Sequence, residues 1–165
     1  MRKEEEVYRA IALYADMIRR ICFMRLKNYA DTEDIFQDVF LKYILHDRGF
    51  ENEAHEKAWF IRVAINACKD SLKSFFRTKV VSLEEMSSDP IFLDQEKSDL
   101  WRLVWNLPRK YRDVIYLFYY EGYSAVEIAE ILEKSENTIY TWLSRARMQL
   151  RAQIEGENVD REETL

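Results

Sequence analysis

A chain of 165 residues that holds glycine only at Gly49, Gly122 and Gly156, and proline only at Pro90 and Pro108, lacks the turn chemistry that many tight reversals demand. A fold built from repeated β-hairpins is thereby disfavoured, and no Gly-rich loop is present to cradle a phosphate. Helices are the expectation, and the apolar residues recur at helical spacing. From Lys3 to about Asn28, Val7, Ile11, Tyr14, Ile18, Ile21 and Cys22 mark one buried face. The carboxylates of Asp31-Thr32-Glu33-Asp34 suit the start of a second helix running to about Leu45, because anions favour a helix N-terminus. After Gly49, a third and strongly apolar helix covers roughly Ala54 to Arg77.

Periodicity is lost from Val80 to Gln95, where Ser, Asp and Pro collect, so this stretch reads as a flexible linker. Beyond it come a helix near Asp99 to Asn106, a Pro108-led helix ending at Gly122, and two more helices within Tyr123 to Arg151. Ser124 and Glu127 have capping-box spacing, and Ser135 can cap the last helix. The expectation is an all-α protein of two helical domains: 1–79, then the linker at 80–95, then 96–165 with a polar tail. Hydrophobic residues make up 48% of the chain, enough for two small cores.

The final pair of helices has helix-turn-helix character. Ile139, Trp142, Leu143, Ala146 and Leu150 form a core stripe, leaving Asn137, Thr138, Thr141, Ser144, Arg145 and Met148 outward, a short polar set able to enter a major groove. Yet the net charge is −5, an unusual balance for a protein that holds a polyanion unaided. The first block carries two further oddities. On the second helix, Phe36, Val39, Phe40 and Tyr43 share the core side, while Asp34, Gln37, Asp38, Leu41 and Leu45 converge on the other, a mixed acidic and apolar surface suited to a protein partner. The third helix is apolar through Trp59, Phe60, Ile61, Val63, Ala64, Ile65, Ala67, Cys68, Leu72, Phe75 and Phe76. Its one polar line is Arg62, Asn66, Lys69 and Lys73, at i, i+4, i+7 and i+11, a row of donors able to follow a phosphate backbone.

Taken together and in this order, these blocks resemble the extracytoplasmic-function sigma factors of bacterial RNA polymerase. "DTEDIFQDVFLK" is similar to the family's polymerase-contact signature, "AWFIRVAINACKD" to its promoter −10 helix, and the segment from Leu107 to Arg151 to its −35-reading domain. The resemblance implies that Asp34, Ile35, Gln37, Asp38 and Leu41 dock on core polymerase, at the coiled-coil clamp of β′, with β as a further contact. It implies that Arg62, Asn66, Lys69 and Lys73 face −10 DNA, with the Gly49 to Glu56 loop beside the flipped base. It implies that Asn137, Thr138, Tyr140, Thr141, Ser144 and Arg145 meet the −35 element, with Arg147 at the flank, and that an anti-sigma factor is a further partner. Acidity then ceases to be a paradox, because a protein that docks on a larger DNA-binding enzyme need not hold DNA alone. Glu133 and Lys134 stand where the family usually has glycine and an apolar residue, so a left-handed turn is expected without glycine, at a cost of roughly 1 kcal/mol.

Other classes find less support. His55-Glu56 has no second histidine to complete a zinc helix, and no nucleophile–base pair is legible, so no catalytic residue, metal or cofactor is expected. Cys22 and Cys68 lie in apolar patterns and read as buried thiols. A one-component helix-turn-helix regulator is the alternative, but it would have no use for the acidic face on the second helix. Neither a signal peptide nor a membrane-spanning run is visible, which points to the cytoplasm.

Overall fold

The computed structural model describes residues 1–78 and 98–163, with side chains for 1–71 and 101–156. Among these residues there is no strand, and the chain divides into two compact units, Met1–Phe92 and Leu93–Leu165. The expected linker, 80–95, lies outside the described residues.

The first unit is three mutually packed helices, α1 (Glu4–Leu26), α2 (Tyr29–Leu45) and α3 (Glu53–Thr78). Its centre is Phe60, fully buried, with the rings of Tyr43, Tyr14 and Phe40 at 4.8, 4.9 and 5.3 Å between centroids. Burying such a ring contributes about 1.5–3 kcal/mol, so this cluster dominates the packing of the unit. Three expectations shift in detail. On α1, Ala10 rather than Ile11 continues the line of Tyr14, Ile18 and Ile21 into the core, and Ile11 is 37% exposed. The start of α2 is Tyr29, not Asp31: Lys27 ends α1 in the left-handed region at φ 53°, and the Asn28 side chain then accepts from the Asp31 N–H at 3.0 Å, a cap that the carboxylate run concealed. Finally Phe36 is only half-buried, covered by the Arg19 guanidinium 4.0 Å from its centroid, while Arg19 also donates to Glu33 at 2.9 Å.

Cys22 and Cys68 meet inside this core, both fully buried. Their mutual hydrogen bond, and then burial, push the Cys22 thiol well above its ordinary range, which makes it inert packing. Leu72, Phe75 and Phe76 belong to α3, with side chains outside the described residues.

The second unit contains α4 (Ser98–Trp105), α5 (Arg109–Ile115), α6 (Ala125–Leu132) and α7 (Glu136–Glu163). The sequence suggested one helix from Pro108 to Gly122, but α5 passes at Tyr116–Tyr120 into a π-helical turn, closed by the Glu121 N–H donating to the Tyr116 carbonyl at 3.1 Å. Tyr116 and Tyr120 stack at 5.1 Å and 16° and both meet Trp101, so aromatic packing accompanies the irregular turn. Gly122 then reverses the chain at φ 77°, a conformation that glycine adopts freely.

Both expected caps are present. Ser124 Oγ accepts from the Glu127 N–H while the Glu127 carboxylate accepts from the Ser124 N–H, and Ser135 Oγ accepts from the Thr138 N–H at 3.1 Å. Glu133 takes the left-handed conformation at φ 56°, ψ 47°, as its place between two helices requires. Glu133→Gly should therefore stabilise this unit by up to about 1 kcal/mol, less the entropy that glycine adds to the unfolded chain. Thermal unfolding of the two proteins measures it, and a clear fall in Tm would contradict the strain.

Candidate protein and nucleic-acid interfaces

The α2 surface is built by its period. Thr32, Ile35, Val39 and Tyr43, at i, i+3, i+7 and i+11, face inward and are buried. Asp34, Gln37, Asp38, Leu41 and Leu45 are all exposed, the two leucines at 54% and 61%. Four of the five residues expected to meet polymerase thus share an open face. Ile35 does not join them: at 6% exposure it belongs to the core, because it precedes Val39 by one helical turn.

On α3, Arg62 and Asn66 are exposed and Lys69 is half-exposed, in one line along the helix. Lys73 lies further along α3, with its side chain outside the described residues. The adjoining loop is shorter than expected. It spans 46–52, after which Asn52 caps α3 by accepting from the His55 N–H at 2.8 Å and His55 Nδ1 accepts from the Glu51 N–H at 3.1 Å. Phe50 sits at the centre of this loop, within 5.3–5.7 Å of the His46, His55 and Trp59 rings.

Glu56, placed in that loop from sequence, is instead a buried residue of α3 at 4% exposure. Arg9 Nη2 donates to both of its carboxylate oxygens at 2.8 Å, and the Tyr43 hydroxyl donates to Oε2 at 3.1 Å. One carboxylate therefore ties all three helices together. Burial first, and then this anion, push the Tyr14 and Tyr43 phenols above their usual range, keeping both hydroxyls protonated as donors. The signal was present: Glu56 precedes Phe60 by one helical turn, which puts an ionic side chain on the core stripe.

In the second unit, α7 leans on α5 and α6 through Ile139, Leu143 and Ala146, all buried. Asn137, Tyr140, Thr141, Ser144, Arg145 and Met148 are exposed and Thr138 is half-buried, so the outward set stands as expected. Trp142 and Leu150 lie at the margin of the core rather than inside it. Trp142 is half-buried, with the Lys110 ammonium 5.7 Å from its ring. Arg147 is exposed but anchored: its Nε donates to the Tyr119 hydroxyl at 2.7 Å, and its guanidinium lies 5.4 and 5.5 Å from the Phe118 and Tyr119 rings. Its companion Arg145 is exposed and, two positions earlier on α7, starts from a different side of the helix.

Among the described residues no group of His, Cys, Asp or Glu could hold a metal, and no helix is long and apolar enough to cross a membrane. The family model Sigma-70 region 2 matches residues 10–75, and Sigma-70, region 4 matches residues 97–150. Among characterised proteins, the chain is 26% identical over 161 residues to the ECF RNA polymerase sigma factor SigW of Bacillus subtilis, covering 87% of this chain and 86% of that one. It is 29% identical over 146 residues to the RNA polymerase sigma factor SigV of the same organism, covering 85% and 86%. Among solved structures, the sigma factor RpoE in complex with the anti-sigma factor NepR from Bartonella quintana superposes with a TM-score of 0.70, at 20% identity over 92% of this chain and 98% of that one. CnrH in complex with the cytosolic domain of CnrY gives 0.61, at 21% identity over 93% and 90%. A one-component regulator would not account for region 2. The chain belongs to the extracytoplasmic-function sigma factors, non-enzymatic initiation factors that direct bacterial RNA polymerase to its promoters.

Proposed function

We propose that the three surfaces divide the work of initiation, and that the exposed leucines of α2 carry this reading. Leu41 and Leu45 stand in water beside Asp34, Gln37 and Asp38, an arrangement that costs the free protein unless a partner with apolar and basic groups covers it. That partner is the β′ coiled-coil clamp of core polymerase, with β as a second contact. Arg62, Asn66, Lys69 and Lys73 on α3 follow the −10 DNA. Asn137, Thr138, Tyr140, Thr141, Ser144 and Arg145 on α7 meet the −35 major groove, and Arg147 holds the backbone. The setting is the cytoplasm. An anti-sigma factor that masks the polymerase-facing surfaces is the natural antagonist, and the complex in which the RpoE relative was solved supports including one.

The acidic balance fits this division. Unguided binding to nucleic acid is suppressed, and DNA contact follows docking. Transcription by the reconstituted holoenzyme on fragmented genomic DNA, and then on a library with randomised −35 sequence, tests the assignment. A side chain on a base edge discriminates by roughly 1–3 kcal/mol, whereas one on a phosphate weakens all sequences about equally. Arg145→Ala should therefore relax selection at one or two promoter positions, and Arg147→Ala should lower activity evenly with a shallower salt dependence. An unaltered sequence preference in Arg145→Ala would mean that the helix enters the groove rotated, making Tyr140 the reader.

A further inference from the structure

Arg2 belongs to none of these surfaces, yet its side chain is only 10% exposed and is held on every side. Its Nε donates to the Tyr43 carbonyl at 3.1 Å and its Nη2 to the Arg48 carbonyl at 2.8 Å. The guanidinium lies 4.4 Å from the Tyr43 ring centroid and 4.9 Å from that of Phe50. Its own N–H donates to the Ile44 carbonyl at 3.0 Å. Tyr43 and Ile44 lie in the last turn of α2, where a cation is favoured; the Tyr43 carbonyl also accepts from the His46 N–H at 3.1 Å, so Arg2 supplies its second bond. Arg48 lies within the loop that follows them. One planar fork thus bridges the end of α2 to the 46–52 loop and places Phe50 nearly parallel to Tyr43, at 10° between planes. A lysine has a single nitrogen and no flat face, so it cannot make both bonds and both stacks at once.

We infer that Arg2 is a positioning residue for promoter opening: it holds the 46–52 loop and the Phe50 ring in one arrangement, so that the unpaired −10 strand meets a platform already formed. The inference rests on the α3 stripe facing −10 DNA. Its physical basis is preorganisation, since a loop ordered before the strand arrives does not have to be ordered by it, and a ring fixed in place can stack against a base.

The test uses the full chain and its holoenzyme with Arg2→Ala and Arg2→Lys, beside Arg62→Ala and Lys69→Ala. Amide exchange across 46–52 should quicken in Arg2→Ala, core affinity should stay within about twofold, and both opening of duplex promoter and capture of a pre-melted −10 strand should weaken by roughly three- to tenfold. Arg2→Lys should restore less than half of the loss. Unchanged exchange in the loop would overturn the clamp, and a loosened loop with normal opening would overturn its role. A loss of core affinity as large as the loss of opening would overturn it too, by reducing Arg2 to a purely structural residue. If Arg62→Ala and Lys69→Ala open promoters normally, the −10 reading itself falls. If they slow opening and Arg2→Ala does not, only the inference about Arg2 falls.

Discussion

Arg9→Ala should destabilise the three-helix unit by about 2–4 kcal/mol, more than its half-exposed position suggests. Breaking a buried ion pair costs about 3–5 kcal/mol because the remaining charge stays in a dry site, and the solvent already reaching Arg9 trims that figure. Glu56 cannot turn outward to recover water, since it lies on the core side of α3, where the neutral Tyr43 hydroxyl that donates to it cannot replace the charge of Arg9. The sign is checked by a second substitution. In the Arg9→Ala background, Glu56→Gln should regain stability, because a neutral amide is less costly to bury than an unpaired carboxylate. Denaturant unfolding of wild type, single and double variants measures both, and an Arg9→Ala loss below about 0.5 kcal/mol, the level of an ordinary surface substitution, would refute the network.

Asp38→Arg should weaken binding to core polymerase by roughly five- to a hundredfold while the fold survives, since reversing an interfacial charge removes one attraction and installs one repulsion. Asp38 is exposed on α2, so circular dichroism and the melting curve should stay close to wild type. Leu41→Ala should act in the same direction and be less sensitive to salt, because it tests the apolar half of the face. Competition for core enzyme against a labelled wild-type protein reads both. Undiminished affinity in the two variants would move the docking face off α2.

Much of this protein was open to reading from residues alone because helical period and capping are local. The Ile139, Leu143 and Ala146 centre of the α7 stripe, the Ser124–Glu127 box and the exposed face of α2 each depend on neighbours within four positions and stand where local pattern put them, whereas Trp142 and Leu150, also expected in that stripe, are only half-buried. Boundaries were less legible where two local signals competed. Asp31 and Asp34 looked like the start of α2, but Asn28 reaches the free N–H first, and only the backbone reversal at Lys27 makes that possible. Aromatic residues can continue an α-helix or accommodate a π turn, and contact with Trp101 accompanies the outcome at Tyr116–Tyr120.

What the sequence determined by itself, then, was the helical class, the two blocks, the polar faces proposed to meet polymerase and DNA, and the family. What only the tertiary structure decided were the long-range polar bonds: Arg9 and Tyr43 converging on Glu56, Arg2 bridging Tyr43 and Arg48, and Arg147 resting on Tyr119. Ile35 falls under the same heading, because it lies inside the segment read as a docking signature yet serves the core, and burial is a property of the packed helices. The reason is physical: period tells which side of a helix is apolar, but partners separated by 13 to 47 positions are chosen by how the helices cross, and that depends on the whole core at once.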